Sequence, residues 1–142
     1  MPHNSVTIES VPGRAHAQRV TAGQHSLISD EPPSSGGDGL GPTPFELLLG
    51  ALGACTAVTL QMYAANKGWD LSGIAVRVTR DRHHEDEAAD EGPMIEDIRI
   101  EIKLTGDLDD EQRQRLLEIA GRCPVHKALT GTARITETLA VA

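Results

Sequence analysis

The chain has 142 residues, the size of one ordinary domain with its own hydrophobic core, so it needs no disulfide staples. With 39% hydrophobic and 24% charged residues the composition is globular, which excludes disorder of the whole chain. A net charge of −8 repels phosphate backbones and anionic headgroups, and one Phe, one Tyr and one Trp give no platform for stacking bases, so neither nucleic acid nor a membrane is an expected partner. The N-terminal MPHNSVTIES lacks a basic stretch followed by an apolar one, and the most apolar stretch, residues 47–60, is well short of a bilayer span. A cytoplasmic protein is expected.

Near the N-terminus Val6 and Ile8 alternate with polar neighbours, residues 14–21 read as extended, and residues 24–29 read as a third strand, predicting a three-stranded meander. Residues 31–44, EPPSSGGDGLGPTP, are too rich in Pro and Gly for regular structure and predict an exposed loop. From Pro44 to about Lys67 the pattern becomes helical. Pro44 suits a first turn, Leu and Ala fill the body, and Gly68 supplies the stop. Its apolar residues surround the axis, so this helix must be buried on all sides. At roughly 35 Å in length it exceeds what the other elements of one chain can cover. Pairing the helix with its twin predicts an intimate, obligate homodimer.

Ile74, Val76 and Val78 then alternate with polar or small neighbours, and Ile98, Ile100, Ile102 and Leu104 alternate with Arg99, Glu101 and Lys103. These two strands predict a hairpin joined by a charged connector, residues 81–92, that has almost nothing to bury. Asp109 and Gln112 fit a capping box that starts a helix running to Cys123, where Pro124 interrupts it. A short helical turn over 125–129 and a final strand over 134–139 complete the chain. The order predicts an α+β fold with mainly antiparallel pairs, in a single domain spanning residues 1–142.

Cys55 and Cys123 are the only cysteines, 68 positions apart, and in a reducing compartment they are buried or reactive thiols rather than a standing staple. Cys55 lies about three turns into the apolar helix, beside Gly53, Ala54 and Thr56, where a small apolar core residue is also at home. Cys123 sits at a helix end before Pro124, where backbone pairing stops. Spacing alone leaves open whether the two meet. If they do, one thiolate attacks an O–O bond, becomes a sulfenic acid, and condenses with the second thiol to a disulfide.

A cation near the first thiol lowers its pKa, and Arg14 and Arg19 on the N-terminal strands are the candidates, each equally an ordinary solvated strand arginine. Glu46 sits where the helix dipole favours a carboxylate. Tyr63 and Met62 read as core and Trp69 as a plug after the helix. Cys123 and His126 offer two metal ligands where zinc needs three or four, and His83 and His84 lie in a solvated acidic run, so no metal is expected. No GxGxxG, P-loop or Gly-x-Ser-x-Gly element is present, so no dinucleotide or other cofactor is expected either.

Taken together, GPTPFELLLGALGACTAVTLQMYAANKG (residues 41–68) and CPVHKAL (residues 123–129) resemble the OsmC/Ohr family, the osmotically inducible and organic hydroperoxide resistance proteins, and its OsmC-like branch in particular. The resemblance implies an intertwined homodimer, with antiparallel sheets from both chains wrapped around two central cysteine-bearing helices. It implies that Cys55 is peroxidatic and Cys123 resolving, and that the substrate is an organic hydroperoxide. It also implies that electrons return from a dithiol such as a lipoylated protein. An N-terminal arginine and a glutamate before the cysteine helix activate the first thiol in that family. Arg19 is the better match for the arginine, with Arg14 second. The glutamate position falls on Phe45, with Glu46 one residue later.

The expectation is therefore a thiol-dependent peroxidase acting in oxidative stress defence, with Cys55, Cys123, Arg19 and Glu46 as its site. Two other readings stand beside it: a non-catalytic dimer that binds a small hydrophobic ligand, and a thiol redox sensor that forms the same disulfide slowly.

Overall fold

Three short strands open the chain: β1 (Thr7–Ser10), β2 (Gln18–Ala22) and β3 (His25–Ser29). They form the expected antiparallel meander in the order β1-β2-β3. Strand β2 begins at Gln18, later than the extended stretch read from Arg14, because Val11 closes a turn back onto Ala17 and Arg14 through backbone hydrogen bonds. The structure is a computed structural model that describes residues 4–86 and 88–140, with the backbone alone at Asp86. It divides into two compact units, Met1–Leu48 and Leu49–Ala142.

In the first unit the Pro- and Gly-rich loop is organised around one side chain. Asp30 is only 2% exposed, and its carboxylate accepts N–H bonds from Glu31 at 2.8 Å and from Asp38 and Leu40 at 3.2 Å. Burial pushes this carboxyl up, but the three backbone donors outweigh it and hold the group below its ordinary 3.8. A carboxyl depressed by folding stabilises the loop above its unfolded value, and that support fades as pH falls through the still lower folded value. Residues 31–42 are therefore expected to loosen only below about pH 4. Hydrogen exchange at Asp38 and Leu40 followed down the pH scale checks this; Asp30→Asn should show the loosened exchange already at neutral pH.

Helix α1 (Pro44–Lys67) runs 24 residues with the predicted bounds. Its start is a capping box: the Glu46 N–H donates to Thr43 Oγ1 at 3.2 Å, and the Thr43 N–H donates to Glu46 Oε1 at 3.0 Å. Its end is a Schellman arrangement in which Gly68 takes φ +70° and the Trp69 N–H reaches back to the Ala64 carbonyl at 2.9 Å. The helix is longer than the apolar stretch read from sequence, and with a mean hydropathy of 1.5 it meets the length and composition of a bilayer span. Leu60 and Ala64 are nevertheless buried in a protein core.

In the second unit, β4 (Gly73–Asp86) and β5 (Glu91–Thr105) form the predicted antiparallel hairpin, but it is much longer than expected. Most of the charged connector is paired strand. Its stability comes from charges facing each other across the ladder: Arg80 holds Glu96 at 2.6 Å, Arg82 meets the same carboxylate at 3.3 Å, and His83 faces Asp97 at 3.5 Å. Gly53 is where α1 lies on β4, since a Cβ there would stand 3.0 Å from Val78 Cγ2. Helix α2 (Asp110–Ala120) carries the predicted Asp109–Gln112 capping box, with bonds of 2.7 and 2.9 Å. It stops three residues earlier than expected. Leu116, Ile119 and Ala120 then pack with Leu60, Ala64 and Leu108 to form the core. Arg113 ties α2 to the end of β5 by donating to the carbonyls of Leu104, Gly106 and Leu108.

Two expectations require correction, the final strand and the place of Met62. The final strand over 134–139 does not form: the segment after the turn Ala128–Thr132 finds no strand partner among the described residues, and Ile135 and Leu139 are 82% and 101% exposed. Helix α1 leaves Val58 and Met62 50% and 68% exposed, so the described residues of one chain do not cover it on all sides. Met62 is accordingly a surface residue of this chain rather than core, whereas Tyr63 packs against the core and meets Trp69 edge-on at 5.6 Å.

Candidate active site

Both cysteines belong to the second unit. Cys55 projects from the third turn of α1. Cys123 lies on the turn after α2, at the N-cap of the one-turn helix α3 (Pro124–Lys127), where Pro124 at the first helical position gives up no hydrogen bond. This local geometry makes the sulfur an acceptor: Cys123 Sγ receives the His126 N–H at 3.5 Å. The two thiols are free and hydrogen-bonded to each other. Cys55 is half-buried, and Cys123 is fully buried behind it.

Burial pushes the Cys55 thiol above its usual range, and its hydrogen bond with Cys123 and the negative charge there push the same way. The Val125 N–H and the Thr59 hydroxyl oppose these without prevailing. At Cys123 burial also pushes upward, but the Cys55 thiol, the His126 and Val125 N–H groups and the Thr56 hydroxyl all favour the anion and bring the group below its ordinary value. Thr56 otherwise donates to the Leu52 carbonyl at 2.9 Å. The two thiols thus titrate as a couple, with the burdens of burial and mutual charge falling on Cys55 and the amide and hydroxyl donors gathered on Cys123. Thr56, Thr59 and the two backbone amides were not singled out from sequence; the one available signal was a hydroxyl four residues after Cys55, on the same helix face.

The remaining sequence candidates lie in the first unit. Arg19 is exposed on β2, with Glu9 and Ile28 as its cross-strand neighbours. Arg14 is engaged with Asp38 at 3.5 Å. Glu46 serves the capping box described above, and the Thr43 N–H and hydroxyl hold its carboxyl below the usual range. Phe45 is 39% exposed. Among the described residues no three His, Cys, Asp or Glu side chains converge as a metal site. His126 contributes its backbone N–H to Cys123, while His84 meets Asp90 at 3.3 Å.

An antiparallel α+β framework carrying one cysteine on a long apolar helix, hydrogen-bonded to a second at the start of a Cys-Pro-Val turn, defines a dithiol protein. The sequence profile of the OsmC-like proteins matches residues 36–138, and this chain belongs to the OsmC/Ohr family. Crystal structures agree in fold. A protein of Psychrobacter arcticus 273-4, assigned to osmotic stress induction and the detoxification response, is 26% identical, with 90% of this chain and 88% of that one aligned at a TM-score of 0.69. An OsmC-like protein from Mycoplasma pneumoniae is 17% identical over 92% and 89% of the two chains, at 0.73. The organic hydroperoxide resistance protein OhrB of Bacillus subtilis is 23% identical over 92% of each chain, at 0.61. No curated protein sequence matches the chain.

Proposed function

We propose that the chain is a thiol-dependent peroxidase that reduces organic hydroperoxides. The observation that carries this reading is the cysteine pair: a reachable sulfur hydrogen-bonded to a buried one, both reduced, in a family with members named for hydroperoxide resistance. Passing the Cys55 proton across the S–H···S bond to Cys123 leaves the nucleophile on the accessible sulfur. The Cys55 thiolate attacks the distal oxygen of ROOH, the O–O bond breaks, and the alkoxide takes a proton to leave as ROH. Cys55 becomes a sulfenic acid. The Cys123 sulfur then attacks Cys55, expelling the hydroxyl as water and forming the disulfide. An external dithiol, such as a lipoylated protein, returns both electrons and both protons and is itself oxidised to a disulfide.

In this proposal Arg19 is the cation that favours the Cys55 thiolate, since Arg14 already has a carboxylate partner, and Glu46 orients that arginine. The assembly is a homodimer. The exposed Val58 and Met62 on α1 and the unpaired Ile135 and Leu139 are the apolar surfaces that a second chain would cover.

Anaerobic stopped-flow oxidation of pre-reduced protein by cumene hydroperoxide and by hydrogen peroxide tests the reading, with thiols counted and sedimentation run on the same sample. Rapid loss of both thiols per chain, faster with the organic peroxide, from a particle of twice 15.2 kDa is expected. Loss no faster than that of a free thiol would remove the enzyme. The raised Cys55 thiol favours one further reading, a slow redox sensor, which would give the same disulfide only over minutes to hours.

A further inference from the structure

At the end of α1 away from the cysteines, within the second unit, Tyr63, Lys67 and Trp69 face α2 across a cavity of about 510 Å³, a volume that suits a molecule of one or two rings. Tyr63 lies about 12 Å beyond Cys55 along the helix axis, so the cavity is separate from the thiol pair. Val58 and Met62, the α1 residues that a second chain would cover, lie about 100–180° around the helix from Tyr63 and Lys67. The cavity is thus built on a different face of α1.

Its walls carry an aromatic corner and two donors that the fold leaves unused. The Tyr63 and Trp69 rings meet edge-on at 5.6 Å with 72° between their planes. The Tyr63 hydroxyl accepts the Arg115 Nε–H at 3.1 Å, and among the described residues nothing accepts the proton of that hydroxyl in turn. The bond from Arg115 chiefly, and then the charges of Arg115, Lys67 and Arg122, prevail over burial and hold the phenol below its usual range, which makes it a stronger donor. The Lys67 ammonium lies 5.7 Å from the centre of the Tyr63 ring, and among the described residues no carboxylate pairs with it. Two carboxylates of the cavity are already engaged: Glu118 is held by Arg115 at 2.9 Å, and Asp109 is bound into the α2 capping box. Glu111, exposed in the first turn of α2, remains.

The geometry points to a second ligand site, in which the cavity between α1 and α2 binds a small planar aromatic monocarboxylate, its ring against Tyr63 and Trp69 and its carboxylate between the Lys67 ammonium and the Tyr63 hydroxyl. A neutral ring would leave the ammonium unanswered, a cationic one would meet Lys67 and Arg115, and a second negative charge would meet Glu111. The site needs no chemistry at the cysteines and stands apart from the peroxidase reading.

Trp69 is the only tryptophan, so its indole N–H gives one side-chain resonance in a proton–nitrogen spectrum and reports on the site directly. The test titrates that resonance in reduced protein with naphthoate, with neutral naphthamide and with cationic naphthylmethylamine. The wild type is expected to bind naphthoate about fivefold more tightly than the amide at low salt, the scale of one exposed ion pair, with a narrower margin at high salt and the amine weakest. The acid-to-amide ratio should persist in Lys67→Arg and fall to about one in Lys67→Ala. Tyr63→Phe, which keeps the ring, should weaken naphthoate binding, and Glu111→Gln should strengthen it; the same spectra show that each variant is folded. Equal binding of the three compounds by the wild type, a preference for naphthoate that survives Lys67→Ala, or an indole resonance that does not move overturns the assignment.

Discussion

Serine at Cys55 is expected to abolish hydroperoxide reduction, lowering the rate on the order of a thousandfold or more, the scale seen when an attacking nucleophile is removed. The argument is steric first: Cys55 is the half-buried sulfur and Cys123 is fully enclosed, so a peroxide meets only one of them. Cys123→Ser should behave differently. It keeps the attacking thiol but removes both the Cys123 hydrogen bond and the negative charge that push Cys55 upward, leaving burial as the remaining upward influence against the Val125 and Thr59 donors. The Cys55 thiol should then titrate at lower pH than in the wild type. Its first reaction with peroxide at neutral pH should be preserved or quickened, while the disulfide no longer forms. Dimedone trapping with mass spectrometry, read beside the pH profile of alkylation, checks both variants. A sulfenic acid that accumulates on Cys55 in Cys123→Ser supports the assigned roles; persistent turnover in Cys55→Ser reverses them.

The parts of this fold that were legible in the sequence are those in which a residue acts on its own neighbourhood. Pro44 and Gly68 bracket α1, and Asp109 with Gln112 starts α2, because caps act within about four residues. The alternation of Ile98, Ile100, Ile102 and Leu104 exposed the middle of β5 for the same reason. The outer half of the hairpin escaped because its pairing is written in charges, such as Arg80 against Glu96, sixteen positions apart, with no apolar alternation to mark it. The segment over 134–139 has the alternation of a strand but no edge in its own chain on which to pair. At the site, Cys55 and Cys123 could be named from sequence, together with the Cys-Pro turn. That they meet, and that Thr59 joins them, depend on how α2 and the following turn pack on α1, which no spacing encodes.

Alanine at Gly106 should be the most damaging single-methyl change in the second unit. The residue holds φ +147°, a conformation that costs any side chain of L configuration, and a Cβ there would stand 1.9 Å from the Asp70 carbonyl oxygen. That oxygen belongs to backbone, so no rotamer change relieves the clash. The crossing is also fastened on every side. The Asp107 N–H donates to Asp70 Oδ2 at 3.2 Å, the Ser72 N–H to the Thr105 carbonyl at 2.8 Å, and an Arg113 nitrogen to the Gly106 carbonyl at 3.2 Å. Displacing one strand of this crossing therefore loosens the end of β5, the segment after α1 and the anchor of α2 together. Strain and displacement should cost about 3–5 kcal/mol and lower the thermal midpoint by roughly 10 °C or more. Gly121→Ala provides the matched control, because its φ of −70° suits alanine and its nearest contact is the Glu118 carbonyl at 3.9 Å. Thermal unfolding of the two variants beside the wild type decides the matter: equal midpoints for both would mean that the crossing at Asp70 yields more easily than its backbone contacts require.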